Sequence, residues 1–223
     1  MAQSEKMRIH MQEIRSQILR DAERLFMRQG YKTTTIRQLV QESGVTSGSI
    51  YNIFEDKEHL FSALIDEFVE DAAMRLEGRL GDKSLEEKLV GFVCMEFYCI
   101  ENYPVVREMI YAAHISPLIM EGMISRRAKL LQDIWDSWDH KANDSLASAI
   151  LLSEGSIASY VLSYSFAQSM DHASIRKKVL LTILFYFGVD EETSHKLLAY
   201  AEENEDLWKD LAEQVLHHSE NKE

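Results

Sequence analysis

The sequence contains little proline and little glycine. Only two prolines and nine glycines occur among its 223 residues. A β-sheet protein with many tight turns usually needs more of both, because these residues allow the chain to reverse direction. Long helices tolerate this composition. Hydrophobic residues make up 46% and charged residues 27% of the chain, as in ordinary folded soluble proteins, so the sequence predicts an all-α fold.

Cysteine is also scarce. The two cysteines, Cys94 and Cys99, are five residues apart in a predicted helix, and therefore about 140° apart around its axis. In that arrangement they neither pair with each other nor share a metal ion, and reduced thiols of a cytosolic protein fit this usage. The N-terminal segment MAQSEKMRIHMQEIR is charged throughout and has no apolar run of a signal peptide. We expect a cytoplasmic location.

One long stretch is almost free of charge. From Ser145 to Met170, Glu154 is the only charged residue. The stretch is long enough to span a bilayer, but eight of its 26 residues are serine and Glu154 lies near its middle. We therefore predict a helix buried in protein and expect no membrane partner.

Acidic residues are scarce in one further stretch. The chain has a formal net charge of −13, yet residues 33–54, TTTIRQLVQESGVTSGSIYNIF, contain a single acid, Glu42. Residues 1–60 contain nine basic and eight acidic residues, which leaves 15 basic and 29 acidic residues in the remainder. A basic head on an acidic body favours a polyanionic partner for the head alone. The alternative is that these basic residues only cover a solvated helix face.

The head has the pattern of three helices. Apolar residues at three- and four-residue spacing predict an amphipathic helix over residues 10–29, which Gly30 ends. A second helix carries a short apolar stripe and ends at Ser43-Gly44, and a third begins after the N-cap Thr46. Helix, three-residue turn and helix form a helix-turn-helix arrangement. The third helix is short, and the residues it turns inward are Ile50 and Phe54.

The outward face of the third helix carries small or hydroxyl-bearing groups. The backbone N–H groups and the dipole at a helix start favour anions, and Gly48 has no side chain to keep a phosphate backbone away. Tyr51 and Asn52 can donate hydrogen bonds to phosphates or base edges. Alternatively, Thr46 only caps the helix, Tyr51 only packs and Gly48 only relieves crowding. A fourth helix follows, with Asp56 as its predicted N-cap and Lys57 as a further phosphate partner.

Residues 22–61, AERLFMRQGYKTTTIRQLVQESGVTSGSIYNIFEDKEHLF, resemble the signature of the tetracycline-repressor (TetR) family of bacterial one-component regulators. The remainder of the chain is similar to the family only in being helical and of the usual length. The resemblance implies that Thr35 contacts phosphate at the start of the second helix and that Lys57 holds the DNA backbone from the fourth. The residues that it implies along the recognition helix are Thr46, Ser47, Gly48, Ser49, Tyr51 and Asn52.

The rest of the chain is also predicted to be helical. We assign residues 1–56 to a helix-turn-helix DNA-binding domain and residues 57–223 to a helical effector-binding and dimerisation domain. The resemblance implies that the second domain binds a small molecule and forms a homodimer. Helix breakers delimit predicted helices over residues 57–80, 84–101, 104–114, 117–140, 143–169, 173–188, 191–203 and 205–218.

Two of these helices are apolar on more than one side. The helix over residues 143–169 has one apolar face for its own core, and an opposite face where Gly155 and Ala158 permit close approach of a partner helix. In the family, this helix and the next one form a four-helix dimer interface. The alternative is a thick monomeric core. The residues predicted at the interface are Leu151, Gly155, Ala158, Leu162, Ile175, Val179, Ile183 and Phe187.

A carboxylate interrupts the apolar stripe of the helix over residues 84–101. Glu96 lies between Phe92 and Ile100 on that stripe, so it must find a partner or change its pKa. It orients a ligand amine or hydroxyl, or an arginine of a neighbouring helix holds it. Aromatic and thioether side chains supply the remaining lining, although each is also typical of a plain core. The predicted ligand-binding residues are Phe92, Met95, Glu96, Tyr103, Met109, His114, Trp135, Tyr160 and Tyr164, with Trp138 as a further candidate.

Together these features predict a ligand-responsive transcriptional regulator, and the resemblance implies a repressor. We expect it to bind a palindromic double-stranded DNA operator as a homodimer and to be released by a small-molecule effector. The continuous fourth helix is predicted to connect the DNA-binding head with the effector pocket.

Other functional classes receive less support from the sequence. We expect no cofactor, no metal and no enzymatic activity, since the sequence has neither a glycine-rich phosphate loop nor a nucleophile motif. His217-His218 is interpreted as a solvated tail. The alternative function is a DNA-binding regulator whose body is controlled by a protein partner. Apolar residues in the acidic C-terminal segment could contact such a partner or the body itself.

Overall fold

The computed structural model describes residues 2–137, 145–166 and 169–216, and every regular element within these ranges is an α-helix. This confirms the predicted all-α fold. The helices, in chain order, are α1 (Ala2–Gln29), α2 (Ile36–Ser43), α3 (Ser47–Ile53), α4 (Lys57–Leu80), α5 (Leu85–Asn102), α6 (Pro104–His114), α7 (Pro117–Ser137), α8 (Leu146–Ser163), α9 (His172–Tyr186), α10 (Glu191–Glu203) and α11 (Glu205–Leu216).

Local signals fix the helix ends in the head. Thr35 forms a capping box at the start of α2, and the carboxylate of Asp56 accepts the backbone N–H of His59 at 2.9 Å at the start of α4. Gly30 (φ 86°) and Gly44 (φ 67°) follow the last residues of α1 and α2 in left-handed backbone conformation, which favours glycine. These caps and stops are the predicted ones.

Two helix ends differ from the prediction by more than two residues. α1 begins at Ala2 and not near residue 10, because its first turns are exposed and therefore show no apolar stripe. α8 ends at Ser163 and not at residue 169, because the N–H of Ser165 turns back to the Leu162 carbonyl at 2.9 Å. Some predictions lie outside the described residues, namely the helix ends at 140, 143 and 218, Trp138 and His217-His218.

The core of the head is continuous with the body. Ile18 and Phe26 of α1, Leu39 of α2 and Ile50 of α3 are each no more than 2% exposed. Residues of α6 and α7 join the same apolar cluster, so the head and the body share one core at this point. The assignment of a boundary at residue 56 stays a prediction. The residues of α6 and α7 that belong to the apolar cluster of the head are Met109, Ala112, Ala113, Ile119 and Met123.

α8 has one buried face and one exposed face. Ile150, Ile157 and Tyr160 are each no more than 2% exposed and pack in the body core, as predicted. By length and hydropathy, Leu146–Ser163 is the one single helix within the described ranges that could cross a membrane, and half of it is buried in protein. α5 and α6 meet the same test only as a pair that is bent by 119°.

The C-terminal helix α11 packs on the body. It lies against α4 and α5, and the indole Nε1 of Trp208 donates a hydrogen bond to the Ala201 carbonyl at 2.9 Å. The sequence left open whether the C-terminal segment packs on the body or on a protein partner. In the structure it packs on the body. The buried apolar residues of α11 are Trp208, Leu211, Ala212, Val215 and Leu216.

Three helices meet at Gly91 of α5. A Cβ atom built there would lie 2.8 Å from Leu76 Cδ1, 2.9 Å from Trp208 Cζ3 and 3.2 Å from Leu80 Cδ1. All three neighbours are buried, so they have little room to move. By contrast, Gly78 of α4 is exposed and would place its Cβ atom in open space.

We expect opposite effects when alanine replaces these two helical glycines. Gly91→Ala should lower the free energy of unfolding, because overpacking costs about 1–3 kcal/mol and exceeds the gain in helix propensity. Gly78→Ala should raise it by about 0.5–1 kcal/mol through that gain alone. Urea denaturation followed by circular dichroism measures both. Equal stabilisation by the two alanines would contradict the close packing at Gly91.

Candidate nucleic-acid interface and ligand cavity

α2 and α3 form a helix-turn-helix. The N–H of Gly44 donates to the Val40 carbonyl at 3.1 Å and ends α2, and α3 starts three residues later. The Gln17 side chain of α1 donates to the Ser43 carbonyl at 2.9 Å, which fixes the end of α2 to the supporting helix. The predicted helix-turn-helix arrangement is thus confirmed.

The residues predicted to contact DNA lie mainly on the surface. Ile50 and Phe54 hold α3 on the core at 0% and 5% exposure, whereas Tyr51 is 52% exposed. Thr46, Ser47, Gly48, Asn52 and Thr35 are also exposed, and Ser49 is half-buried. α3 therefore presents the predicted face outward, and DNA contact by this face stays a prediction.

Two of the predicted hydroxyls are also engaged within the protein. The Thr46 hydroxyl oxygen accepts the Ser49 N–H at 3.2 Å, and the Thr35 hydroxyl donates to the Gln38 side chain at 2.9 Å. Both threonines therefore cap helices, as one of the alternatives for Thr46 proposed. Ser47 and Gly48 have no such capping role and leave the start of α3 uncovered.

Lys57 binds within the protein. Its ammonium donates to the carbonyls of Tyr31 and Thr34 at 3.0 and 2.9 Å and lies 4.3 Å from the centroid of the Tyr31 ring. Burial lowers the pKa of Lys57, although the charge of Glu108 opposes that shift. Lys57 thus ties the start of α4 to the α1–α2 turn, and its contact with the DNA backbone stays a prediction. Its spacing in the sequence gave no sign of this role within the protein.

The single acid of residues 33–54 is paired within the head. Glu42, the single acid of residues 33–54, pairs with Arg28 of α1 at 3.1 Å. Arg37 is also exposed on this surface, on α2. The helix-turn-helix surface consequently combines hydroxyl groups, an aromatic ring and a cation, which is a composition suited to phosphate contact.

A cavity of about 130 Å³ lies in the body between α4, α5, α6, α7 and α11. We call it the small cavity. Five of the nine predicted ligand-binding residues line it, and its remaining wall is almost entirely apolar. These five are Phe92, Met95, Glu96, Met109 and His114. Lining residues that the sequence analysis did not propose include Met27, Val69, Cys99, Arg127 and Leu216.

The other four predicted ligand-binding residues lie elsewhere. Tyr160 donates to Glu101 at 2.6 Å, and the Tyr164 ring stacks on His172 at 3.9 Å between centroids. Their positions on α8 turn them toward the end of α5 and the start of α9. Tyr103 precedes α6 and packs against Tyr98, and Trp135 packs edge-on against Phe187. Helix periodicity identified these side chains as inward-facing but could not say which interior space they face.

Four ionisable side chains form a buried group beside the small cavity. We call Glu96, His114, Arg127 and Glu154 the Arg127 cluster. Arg127 pairs with Glu96 at 3.3 Å and, through its other terminal nitrogen, with Glu154. His114 Nε2 lies 3.0 Å from Glu154, and Nδ1 lies 2.7 Å from the Ile110 carbonyl. The predicted arginine partner of Glu96 is therefore confirmed, and the lone acid of the apolar stretch has two partners.

The two carboxyl groups of the Arg127 cluster titrate differently. Burial raises the pKa of Glu96 because its contact with Arg127 only partly offsets desolvation. Burial also opposes ionisation of Glu154, but Arg127 and the His114 hydrogen bond outweigh it and lower the pKa of Glu154. For His114, burial would favour the neutral ring, yet the bond to Glu154 raises its pKa. The cluster thus shifts the pKa values of its two carboxyl groups in opposite directions.

A second cavity of about 440 Å³ lies between α4, α5, α7, α8 and α9. We call it the large cavity. Phe92 and Arg127 line both cavities, with the guanidinium carbon of Arg127 lying 5.2 Å from the centroid of the Phe92 ring. These two side chains therefore form a partition between the two spaces.

The free apolar surface of α8 and α9 differs in part from the predicted interface. Leu151 is 51% and Leu162 36% exposed, Gly155 is exposed and Ala158 half-buried, as a partner surface on α8 requires. On α9 the prediction chose the wrong face, because the body core takes its most regular apolar stripe. Phe185, at 74% exposure, points outward instead. The α9 residues that are buried or half-buried in the protomer are Ile175, Val179, Ile183 and Phe187.

The described residues offer no candidate metal centre. Within residues 2–137, 145–166 and 169–216, no three His, Cys, Asp or Glu side chains form a group that could hold a metal ion. Burial raises the pKa of Cys94 and of Cys99 to about 12, so both thiols stay protonated at neutral pH.

Comparison with known proteins agrees with this geometry. A family model described as bacterial regulatory proteins, tetR family, matches residues 18–64. The HTH-type transcriptional repressor KstR2 of Mycolicibacterium smegmatis is 28% identical over 125 residues, which cover 54% of this chain and 60% of that protein. The chain thus matches less than two thirds of the length of this relative.

Solved structures share the fold over most of the chain. Native full-length TylP, a TetR regulator from Streptomyces fradiae, has a TM-score of 0.54 at 18% identity, covering 90% of this chain and 97% of that one. FadR from Bacillus subtilis, solved in complex with stearoyl-CoA, has a TM-score of 0.50 at 16% identity, covering 79% and 99%. At these identities the likeness concerns the fold.

The fold and the head together define a helix-turn-helix protein with a helical body. Residues 18–64, which contain the helix-turn-helix and the helices that support it, match the TetR family of bacterial regulatory proteins.

Proposed function

We propose that this chain is a transcriptional repressor that binds a palindromic DNA operator as a homodimer and releases it when a small molecule occupies the body. The observation that carries the proposal is the exposed face of α3, with Tyr51, Asn52, Ser47 and Gly48 outward while Ile50 holds the helix on the core. A helix held in this way can enter a major groove. The relative KstR2 is an HTH-type transcriptional repressor, which supports the same role for this chain.

The body supports an effector site. Both cavities have mainly apolar walls with a few polar groups, which is the composition of small-molecule sites. FadR, which shares the fold, was solved with stearoyl-CoA bound. We infer that a smaller organic molecule binds in the body of this chain. The small cavity is close in size to an engineered 150 Å³ cavity that binds benzene.

α6 connects the small cavity with the head. Met109 and His114 of α6 line the cavity, while Glu108 of the same helix accepts the Lys32 N–H at 3.3 Å in the α1–α2 turn. A Cβ atom on Gly30 would lie 2.5 Å from the Glu108 carboxylate, so this contact is close. A ligand that shifts α6 would therefore shift the head, and by linkage DNA would weaken ligand binding by the same factor.

α4 provides a second connection, as the sequence analysis proposed. Lys57 at its start holds the α1–α2 turn, and Phe68, Val69 and Ala72 further along line the small cavity. The two heads of a dimer must lie about 34–36 Å apart to enter successive major grooves. A change in the angle of α4 in each protomer would alter that separation and release the operator.

The exposed apolar residues of α8 and α9 support the homodimer. Leu151, Leu152, Leu162 and Phe185 are each at least 36% exposed, and exposed apolar patches typically mark an interface. The second candidate function, control by a protein partner at the C-terminal segment, has less support because α11 already buries its apolar face on the body.

Replacing Tyr51 with alanine should weaken operator binding without weakening the fold. We expect a loss of about tenfold or more, since a good side-chain contact to DNA contributes about 1–3 kcal/mol. The melting temperature should change little, because exposed substitutions typically alter stability by less than about 0.5 kcal/mol. Fluorescence anisotropy with a duplex selected from a random pool gives the dissociation constants.

His195→Ala is the matched control, since His195 is an exposed ring on α10. It should bind the duplex like the parent. Equal affinity of the parent, Tyr51→Ala and His195→Ala would remove α3 from the interface and with it the basis of the proposed function.

A further inference from the structure

The guanidinium of Arg127 has one buried donor without a partner. Its two terminal nitrogens pair with Glu154 and Glu96, but the Nε–H has no hydrogen-bond partner within the described part of the chain. A buried donor left unsatisfied typically costs about 1–3 kcal/mol. An unpaired donor of this kind is a point at which a bound molecule gains affinity by supplying an acceptor.

This donor belongs to a residue that lines the small cavity. Apart from Arg127, the polar groups in that wall are the carboxylate of Glu96, the imidazole of His114 and the thiol of Cys99, and the other lining residues are apolar. The terminal nitrogens of Arg127 and both ring nitrogens of His114 already have partners. The Nε–H is therefore the donor of this arginine that remains open, on a residue that lines both the small and the large cavity.

The chemistry of the cluster selects among three kinds of ligand head. An ammonium group carries donors only, so it cannot satisfy the Nε–H. A carboxylate could accept it, but would add a third acid beside Glu96 and Glu154, and a buried charge without its own counter-ion is costly. An uncharged oxygen accepts the hydrogen bond and leaves the existing ion pairs intact.

We propose that the small cavity binds an uncharged, mainly apolar molecule whose carbonyl or ether oxygen accepts the Nε–H of Arg127. This inference rests on the proposed function, because it names the chemical class of the effector at that site. The cavity volume of about 130 Å³ limits the part of the molecule bound there to roughly the size of one substituted aromatic ring. A longer ligand would extend past Phe92 into the large cavity.

Four aromatic probes of nearly equal size test the proposal on the full chain: acetophenone, ethylbenzene, benzoate and benzylammonium. Methyl NMR of Met95, Met109 and Met123, which line the cavity, reports binding there and gives dissociation constants. We expect acetophenone to bind at least tenfold more tightly than benzoate and benzylammonium. It should also shift the Nε–H resonance of Arg127, whereas ethylbenzene should leave that resonance nearly unchanged.

Arg127→Lys keeps the positive charge and removes the Nε donor. It should weaken acetophenone by about tenfold, the usual effect of a hydrogen bond to a charged group, and change ethylbenzene by less than about threefold. Arg126→Lys, at the neighbouring position, is the control, because Arg126 pairs with Asp66 and Glu70 away from the cavity. It should leave all four affinities unchanged.

The outcomes separate this inference from the proposed function. If the methyl groups report binding but benzoate or benzylammonium binds as tightly as acetophenone, or if the Arg127 Nε–H resonance does not respond to acetophenone, the inference is wrong and the effector site stands. If none of the four probes binds, the inference is wrong and the small cavity is removed as an effector site as well. The wild-type measurements decide both cases should Arg127→Lys fail to fold.

Discussion

Replacing Arg127 with methionine is expected to lower the free energy of unfolding by about 3–5 kcal/mol, the usual cost of removing one partner from a buried ion pair. Glu154 is fully buried and would retain only His114, while Glu96 would lose its arginine. Burial already raises the pKa of Glu96, and without Arg127 both carboxyl groups would titrate above their unfolded values. Acids with raised folded pKa values destabilise the fold as the pH rises, so the loss should be larger at pH 8 than at pH 5.

Arg126→Met is the matched control. Arg126 precedes Arg127 in α7 and also pairs with two carboxylates, Asp66 and Glu70, but these pairs are partly exposed. Exposed pairs contribute about 0–1 kcal/mol, so the control should lose little stability at either pH. Urea denaturation at the two pH values gives all the free energies. Equal losses for the two variants would contradict a buried, charge-dependent cluster.

Replacing Gly155 with arginine is expected to separate the homodimer and abolish tight operator binding. Gly155 lies on the exposed face of α8 beside Leu151, and a Cβ atom there would meet nothing within 4 Å in the protomer. The side chain therefore fits the monomer and obstructs only a partner helix. Because two linked heads gain about 10²–10⁴ in affinity over one, the operator dissociation constant should rise by at least about 100-fold.

Gly78→Arg introduces the same side chain on α4, where the space around Gly78 is also open. Light scattering should give twice the chain mass of 25.8 kDa for the parent and this control, and the single-chain mass for Gly155→Arg. A dimeric Gly155→Arg variant with unchanged operator binding would show that the interface lies on another surface.

The head could be predicted almost completely from the sequence because its signals are local. Thr46 and Asp56 cap helices within three residues of themselves, and Gly44 ends α2 through its own backbone conformation. Such signals depend on neighbouring residues and not on tertiary contacts. Lys57 is the exception in the head: its partners Tyr31 and Thr34 are 26 and 23 residues away, and only the fold brings them together.

The exposed face of α9 could not be predicted from periodicity. α9 is apolar on most sides, so several faces look equally suited to burial. Packing against α8 decides the outcome, and it buries Val179 and Ile183 while leaving Phe185 at 74% exposure. On α8 the two apolar faces differ, because Gly155, Ala158 and the serines distinguish one of them, and there the predicted outward face is the exposed one.

Only part of the Arg127 cluster could be predicted from the sequence, namely that Glu96 has an arginine partner. A carboxylate on an apolar stripe must have a partner, which is why an arginine was expected for Glu96. The partner itself comes from 31 residues away, and the same arginine reaches Glu154, 27 residues further along the chain. The sequence marked Glu154 as the lone charge of an apolar stretch, but it gave no sign that one cation serves both acids.

The central claim is that a chain of net charge −13 carries a head that binds DNA phosphates. The most direct test is the dissociation constant for the selected duplex between 50 and 200 mM NaCl, measured together with the number of protomers bound at saturation. Counterion release predicts a straight line of log affinity against log salt, with a loss of about 10³-fold for six phosphate contacts. We predict such a slope and two protomers per duplex. An affinity that does not change with salt would contradict the account.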